Sequence, residues 1–175
     1  VIKNRNAEAE VMTTKLASFL RTSFDTDPKA PITLADELAT IEAYLDIEGV
    51  RFGERLQVEV DCAPGLLRAQ VPSFILQPLV ENAVKYAVAP SRLGATIRIA
   101  VREVGPDLEI AVADTGRGGA AAPANGTGVG LSNTRTRLAA LYGAAGRLET
   151  VPDVEGFTAT LRMPLNLPTP NPGAA

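Results

Sequence analysis

Apolar residues recur every three or four positions within and just before the stretch QPLVENAVKYA, residues 77–87. This spacing predicts a helix with one buried stripe. Pro72 then stands just before or within the first turn of that helix, a place where proline is tolerated. The buried stripe comprises Leu76, Leu79, Val80, Ala83, Val84 and Ala87.

Three more stretches have the periodicity of helices. Residues 5–24 predict one helix, which the prolines of residues 25–32 end. Thr33 is a suitable N-cap for a second helix that continues to about Val50. A third helix is predicted over about 131–142. The apolar faces of the first two comprise Val11, Leu16, Phe19 and Leu20, and then Leu34, Leu38, Ile41, Tyr44 and Leu45.

Elsewhere, apolar residues tend to occupy every second position, which is the period of a strand. Residues 56–60 form one such run, and 96–104 with 107–113 predict a hairpin. Two further strands are predicted at 147–152 and 157–163. Because the strands lack regular βαβ crossovers, the pattern predicts an α+β fold, a two-layer sandwich. One mixed sheet is covered on one face by helices and preceded by helical segments.

Composition fits one globular unit. Of 175 residues, 46% are apolar and 21% are charged, which is ordinary for a soluble domain. The net charge of −3 argues against a nucleic-acid-binding surface. Cys62 is the only cysteine, so disulfides and cysteine-based metal sites are excluded, and we expect it to be a small apolar residue near a strand end. Because residue 1 is Val rather than Met, we expect the chain to be part of a longer protein.

The predicted helix of residues 77–87 carries polar side chains that a purely structural helix does not need. Asn82 and Lys85 are three positions apart and project from one surface, beside Glu81. An amide oxygen can ligate a hard cation and an ammonium can meet phosphate oxygens, so the pair suits a metal-bound polyphosphate. The alternative for this segment alone is a half-buried helix with a solvated polar edge.

Two glycine clusters follow in a defined order. ADTGRGG, residues 113–119, places Asp114 at the end of a predicted strand, before a flexible turn. NGTGVGLSN, residues 125–133, opens directly into the predicted helix over about 131–142. Glycines let backbone N–H groups approach an anion, and a helix N-terminus adds a favourable dipole. Each cluster alone is a weak signal, but both together, after an Asn-bearing helix, are a strong one.

These three motifs resemble the N, G1 and G2 boxes of the GHKL ATP-binding fold of sensor histidine kinases, gyrase, Hsp90 and MutL. QPLVENAVKYA and GLSNTRTRLAALYG (130–143) are similar to the boxes of LytS/YehU-type sensor histidine kinases. LADELATIEAYLDIEGVRFGERL (34–56) resembles the stretch that precedes the ATP domain in that subfamily. The resemblance covers roughly residues 30–165.

The resemblance implies a role for each motif residue. Asp114 accepts a hydrogen bond from the adenine amino group of ATP, Asn82 is the Mg²⁺ ligand, and Lys85 contacts phosphate. The segment 118–125 is expected to be a mobile lid. The alternative for Asp114 is a carboxylate that caps a turn before glycine. The nucleotide-binding residues so implied are Asn82, Lys85, Asp114, Gly116, Gly118, Gly126, Gly128, Gly130 and Leu131.

The chain departs from the family pattern at several positions. Pro78 stands where gyrase-like members have a general-base Glu, which favours a kinase over a hydrolase. Glu81 precedes Asn82 as in the LytS-type pattern and is a candidate for polarising the metal site. Tyr86 stands where the subfamily often has His. Phe157 follows Gly156 where many members have a Thr near the adenine, so we expect Thr158 to replace that contact or the contact to be absent.

The chain contains no histidine, so the phosphoacceptor His must lie on an upstream helix of the parent protein. The resemblance implies a homodimer, a response regulator receiver domain as partner, and a cytoplasmic location in a membrane-anchored sensor. It divides the chain into the remainder of a helical dimerisation region (1–53), the ATP-binding catalytic domain (54–166) and a disordered Pro-rich tail (167–175).

Other functions remain as alternatives. A Walker-type NTPase is excluded because G-x-x-x-x-G-K-[ST] is absent. A Rossmann dehydrogenase is poorly supported, since the second glycine cluster follows AAAPAN rather than a strand. The remaining candidates are a non-catalytic nucleotide-sensing or protein-interaction module of the same fold and a serine kinase of the anti-sigma-factor type. Intact Asn82, Asp114 and box glycines count against the former, and the LytS-like segment 34–56 counts against the latter.

Overall fold

The helices pack against one mixed five-stranded sheet. The computed structural model describes residues 13–14, 30–116, 129–152 and 156–168. In chain order the elements are β1 (Pro31–Thr33), α1 (Leu34–Phe52), β2 (Leu56–Cys62), β3 (Gln70–Pro72), α2 (Gln77–Ala83), β4 (Ala95–Val104), β5 (Asp107–Asp114), α3 (Val129–Tyr142), β6 (Arg147–Pro152) and β7 (Phe157–Pro164).

The main sheet has five strands in the order β2-β4-β5-β7-β6. Strands β2 and β4 are parallel, and every other neighbouring pair is antiparallel. Strands β1 and β3 form a separate two-stranded antiparallel sheet. The predicted α+β class with one mixed sheet is therefore confirmed, and each predicted strand ends within one or two residues of its observed bounds.

One face of the sheet is packed and the other is polar. On β5, Leu108, Ile110 and Val112 are buried and alternate with partly exposed residues. The opposite face carries ion pairs between neighbouring strands, such as Arg98 with Glu59. Because exposed ion pairs contribute little to stability, the apolar face and the helices that cover it hold the fold together.

Helix α1 begins and ends as its sequence predicts. The hydroxyl of the N-cap Thr33 accepts a hydrogen bond from the backbone N–H of Asp36, at 3.1 Å. Gly53 follows the last turn with φ +56°, a conformation that favours glycine. Leu34 and Ile41 are buried in the same core cluster as the sheet residues. The helix is thus packed onto the sheet domain, and the division between residues 53 and 54 stays a prediction.

The helix of QPLVENAVKYA has the predicted buried stripe, but its start differs from the expectation. Pro72 belongs to β3, and α2 begins at Gln77, so the proline in the first turn is Pro78. The expectation for Pro72 is wrong because β3, only three residues long, pairs with β1 and occupies that part of the chain. Strands of this length carry no readable periodicity.

Strand β2 lies at the edge of the sheet, and this explains an exposed apolar pair. Val58 and Val60 are 39% and 49% exposed, although their spacing matches that of the buried Leu56. They line a groove of about 900 Å³ between β2 and α1. Cys62 ends β2 and is partly buried, as predicted. The predicted helix 5–24 (apart from residues 13–14), the lid 118–125 and most of the tail 167–175 lie outside the described residues.

Candidate functional site

Helix α2 changes its winding in the middle of the Asn-bearing motif. The segment Gln77–Ala83 is α-helical, and Val84–Val88 continues as one π-helical turn. The backbone N–H of Ala89 donates to the carbonyl of Val84, five residues earlier, at 2.9 Å. Such π-turns are rare and frequently lie at functional sites. Apolar spacing did not predict this turn, since the buried positions suit either winding.

Helix α2 lies between the two glycine motifs. A side chain on Gly116 would place its Cβ 2.4 Å from the Cα of Ala87, so the end of β5 approaches α2 backbone to backbone. A Cβ on Gly130, at the start of α3, would lie 3.5 Å from the Cβ of Pro78. The structure therefore brings the Asn-bearing helix, the first glycine motif and the end of the second together.

Asp114 ends β5 on the buried face of the sheet and is 9% exposed. Its Oδ1 accepts a hydrogen bond from the backbone N–H of Gly116 at 3.2 Å. Burial raises the pKa of this carboxyl, while hydrogen bonds from the backbone of Gly116 and Phe157 lower it in part. A buried carboxylate at the end of a strand is an acceptor suited to a ligand amino group.

The residue just before β7 is a glycine, and this lets the chain pass close to Asp114. Gly156 lies so close that a Cβ there would be 1.7 Å from the backbone oxygen of Asp114. Phe157 pairs with Asp114 across the two strands, so both side chains lie on the helix-covered face. Thr158 pairs with Ala113 and faces the opposite side of the sheet. The alternative in which Thr158 replaces the missing threonine contact is therefore disfavoured, because strand alternation turns it away.

The polar residues of α2 face different surroundings. Asn82 is partly buried, and it follows Pro78 by one helical turn on the face toward Gly130. Lys85 is exposed, and its Nζ lies 5.0 Å from the ring centroid of Tyr86. Tyr86 thus makes a cation–π contact with this ammonium.

Glu81 lies on another side of α2. Its Oε1 accepts a hydrogen bond from Nε2 of Gln77 at 2.7 Å, one turn earlier. Its charge also helps to raise the pKa of Tyr44 on α1, after the larger effects of burial and of Glu48. Glu81 therefore lies on the side of α2 that carries Gln77, and its role at a metal stays a prediction.

Helix α3 supplies the other side of the site. Gly130 lies in its first turn, where its carbonyl accepts a hydrogen bond from the hydroxyl of Thr134 at 3.0 Å. Leu131 is 1% exposed, so it anchors this turn in the core. The candidate residues Gly118, Gly126 and Gly128 lie outside the described residues.

Two polar residues near α2 escaped the sequence analysis. Glu37 and Ser73 are both fully buried, and Glu37 accepts hydrogen bonds from the segment that leads into α2. The sequence does contain a signal for Glu37, since it lies three residues after Leu34 and four before Ile41, on the apolar face of α1. Within the described ranges, no cluster of three His, Cys, Asp or Glu side chains suits a metal ion, and no helix is long and apolar enough to cross a membrane.

The sequence is similar to curated sensor kinases. The sensor histidine kinase BtsS of Escherichia coli strain K12 is 32% identical over 166 residues, which cover 94% of this chain and 29% of BtsS. The sensor protein LytS of Streptococcus mutans is 30% identical over 161 residues, which cover 86% of this chain and 28% of LytS. The chain therefore spans less than a third of the length of these relatives.

The fold is similar to solved histidine kinase structures. AdeS of Acinetobacter baumannii matches with a TM-score of 0.60 and 16% identity, over 94% of this chain and 84% of that one. The catalytic domain of histidine kinase ThkA matches with a TM-score of 0.60 and 17% identity, over 77% of this chain and 93% of that one. At such identities the likeness concerns the fold, and the predicted GHKL fold is confirmed.

Two family models match successive parts of the chain. Residues 1–56 match a histidine kinase family, and residues 71–167 match the ATPase family that includes histidine kinases, DNA gyrase B and HSP90. The second match spans more than half of the chain and contains α2, β5 and α3. It confirms the resemblance inferred from the sequence motifs. The protein is a member of the histidine kinase-, DNA gyrase B- and HSP90-like ATPase family.

Proposed function

We propose that this chain binds Mg-ATP and is the catalytic part of a two-component sensor histidine kinase. The γ-phosphoryl group goes to a histidine on an upstream helix of the parent protein. The observation that carries the proposal is a buried acceptor, Asp114, at a place where two backbones approach closely: Gly116 approaches Ala87 at the end of the Asn-bearing helix, and Gly156 approaches Asp114 itself. The family match supports ATP as the nucleotide.

The base of the nucleotide is assigned to the end of β5. Asp114 accepts from the adenine amino group, while Phe157 on the neighbouring strand offers an apolar surface beside it. Guanine presents a carbonyl oxygen where adenine presents that amino group. A buried carboxylate facing an acceptor leaves both groups without a donor, which is costly. The site should therefore select adenine.

The phosphates are assigned to the surface between α2 and α3. Asn82 offers its amide oxygen to Mg²⁺, and Lys85 offers its ammonium to phosphate oxygens. When bound, Mg²⁺ bridges phosphate oxygens and neutralises part of their charge. Catalysis of phosphoryl transfer is mostly positioning and electrostatic stabilisation, so a neutral ligand and an exposed cation on one helix are suitable parts.

Pro78 favours transfer to a protein side chain over hydrolysis. It stands at the first turn of α2, one helical turn before Asn82, and it cannot accept a proton. Glu81, which can, is hydrogen-bonded to Gln77 on another side of the helix. The described site thus has no carboxylate on the face of Asn82 to activate water, which supports a kinase.

The parent protein supplies the remaining parts of this function. We infer that it forms a homodimer, presents its histidine on a dimerisation helix and passes the phosphoryl group to the receiver domain of a response regulator. Membrane anchoring through an upstream sensory region, with this part in the cytoplasm, belongs to the same proposal. The names of the relatives, sensor histidine kinase BtsS and sensor protein LytS, support the role of a sensor kinase within this proposal.

The proposal is tested by phosphoryl transfer in the parent protein that includes the upstream histidine. With ATP labelled on the γ-phosphate and Mg²⁺, we expect acid-labile label on histidine, and no label when Mg²⁺ is removed by a chelator. The 175-residue chain alone should bind Mg-ADP and acquire no label, since it contains no histidine. Binding without any transfer would favour the non-catalytic module, and acid-stable label on serine would favour the serine kinase.

A further inference from the structure

A buried carboxylate on α1 holds the segment that leads into α2. Glu37 is fully buried, although glutamate is almost never buried without partners. Its Oε2 accepts a hydrogen bond from the backbone N–H of Phe74 at 2.8 Å, and its Oε1 accepts one from the N–H of Leu76, also at 2.8 Å. One side chain therefore fixes two backbone positions in the turn just before Gln77.

This turn has a conformation that needs support. Phe74 has φ +56°, in the left-handed region that non-glycine residues rarely adopt. Leu76, the residue at the N-cap position of α2, makes no side-chain capping hydrogen bond. The Glu37 carboxylate accepts from the N–H of the N-cap residue itself, as the glutamate of a capping box does, and it also satisfies the N–H of the strained residue.

The same turn is held from its other side by α3. Nη1 of Arg137 donates a hydrogen bond to the carbonyl of Ser73 at 2.6 Å. Arg137 lies two turns along α3 from Gly130, which contacts Pro78 at the start of α2. The positive charge of Arg137 also lowers the pKa of Glu37, against the larger effect of burial, which raises it. Helices α1, α2 and α3 thus meet at residues 73–76.

We propose that Glu37 is a positioning residue for phosphoryl transfer, which acts through the turn 73–76 to hold Asn82 of α2 in place against α3. The inference rests on the proposed function of Asn82. An apolar side chain at position 37 would suffice to bury this part of α1, as the side chains of Leu34 and Ile41 do. Unlike apolar contacts, hydrogen bonds are directional. The two carboxylate oxygens therefore fix the positions of two N–H groups and, with them, the start of α2.

The position of Glu37 in the chain gives this contact a second consequence. Helix α1 follows directly on β1 and residues 1–30, which precede the catalytic fold. The carboxylate of Glu37 joins α1 to the turn and thereby to the start of the Asn-bearing helix. By contrast, Asp114 belongs to β5 in the middle of the sheet, and its carboxylate accepts hydrogen bonds from the backbones of Gly116 and Phe157. Loss of the Glu37 contact should therefore alter transfer more than nucleotide binding.

The test uses Glu37→Gln, which keeps the shape but places an amide NH₂ opposite one of the two backbone donors. In the parent protein we expect kcat for phosphoryl transfer to fall about 10- to 100-fold, as for other small misplacements of reacting groups. The affinity of the 175-residue chain for Mg-ADP should stay within about threefold of the unaltered chain, since the adenine contacts are intact. Glu42→Gln is the matched control, because Glu42 lies exposed on the same helix.

Unchanged kcat in a less stable Glu37→Gln protein would overturn the inference and leave Glu37 as a packing residue. If Glu37→Gln does not fold, Arg137→Lys, which keeps the charge but not the guanidinium geometry, is judged by the same two measurements. In the double variant, the effects on kcat should be clearly less than additive, because both residues act on one turn; full additivity would also overturn it. Failure of the unaltered chain to bind Mg-ADP would instead reject the proposed function itself.

Discussion

The two ends of the candidate site are built in opposite ways. At the proposed adenine end, Asp114 is buried, and Gly116 and Gly156 allow backbones to approach so closely that no side chain fits. At the proposed phosphate end, Asn82 is partly buried and Lys85 is exposed. The first end is part of the core, whereas the second is attached to the surface of one helix.

This difference separates two kinds of effect. Residues at the adenine end serve the fold and the ligand together, so their substitution should change stability as well as affinity. Residues at the phosphate end have few structural duties, so their substitution should change chemistry alone. The effect of a variant at either end can therefore be compared with that of a variant of a nearby residue that has no proposed role in the site.

The largest effect is expected at the phosphate end. Asn82→Ala should lower phosphoryl transfer by the parent protein about 10³-fold, since the proposed ligand of the Mg²⁺ that neutralises phosphate charge is lost. Its melting temperature should change little, because the side chain is only partly buried. Gln77→Ala, at the exposed hydrogen bond to Glu81, is the control and should transfer normally. Unaltered transfer by Asn82→Ala would make Asn82 an ordinary polar helix residue.

At the adenine end, Asp114→Asn should weaken ATP binding about 100-fold, because a charged acceptor is replaced by a group that also presents donors. Fluorescence titration with a labelled adenine nucleotide measures this loss. Stability at neutral pH should be equal or higher, since burial penalises the carboxylate that the substitution removes. A strong fall in stability would mean that the Asp114 carboxylate mainly serves the turn at Gly116.

The long elements were predictable from the sequence, and the contacts that join them were not. The buried stripe of α2 and the hairpin of β4 and β5 follow from apolar periods over many residues. The pairing of β1 with β3 involves three residues in each strand, too few to establish a period. Glu37 binds N–H groups 37 and 39 residues later in the chain, and no local pattern records such a partner.

The candidate site was predicted in the same uneven manner. Motif resemblance placed Asp114 and Asn82, whose surroundings the structure now describes. Of the two alternatives for the threonine contact, the one that uses Thr158 is disfavoured, because strand alternation decides which face a residue occupies; absence of the contact stays a prediction. The π-turn at Val84 was missed because its buried positions are also those of an α-helix.

A pair of glycine variants sharpens the comparison further. Gly156→Ala places a Cβ against the Asp114 carbonyl and should lower the free energy of unfolding by about 2 kcal/mol, as overpacking does. Gly130→Ala meets Pro78 at an ordinary contact distance and should be neutral or slightly stabilising, since alanine favours helix. Urea unfolding measures both. If both variants lost the same free energy of unfolding, the tight backbone approach would not be specific to the end of the site that contains Asp114.

The smallest effect is a pair of opposite pH trends at Asp114. An ordinary aspartate has a pKa of ~4. Because the pKa of Asp114 is raised, protonation of its carboxyl should begin to lower ATP affinity at a higher pH than that of an ordinary aspartate. The folded chain also holds this proton more tightly than the unfolded chain. The stability that Asp114 contributes is therefore fully present below its ordinary pKa and is lost as pH rises through the raised pKa. Unfolding and binding between pH 4 and 8, compared with Asp114→Asn, test both trends; parallel trends would contradict the account.

Selection of adenine by a buried carboxylate is the central claim, and calorimetric titration of the 175-residue chain with Mg-ATP and Mg-GTP tests it most directly. We expect Mg-ATP to bind in the micromolar range, at about −6 to −8 kcal/mol. Mg-GTP should bind about 100-fold more weakly or not measurably, because its carbonyl faces Asp114 without a donor. Equal affinity for the two nucleotides would contradict the assignment of the base to Asp114.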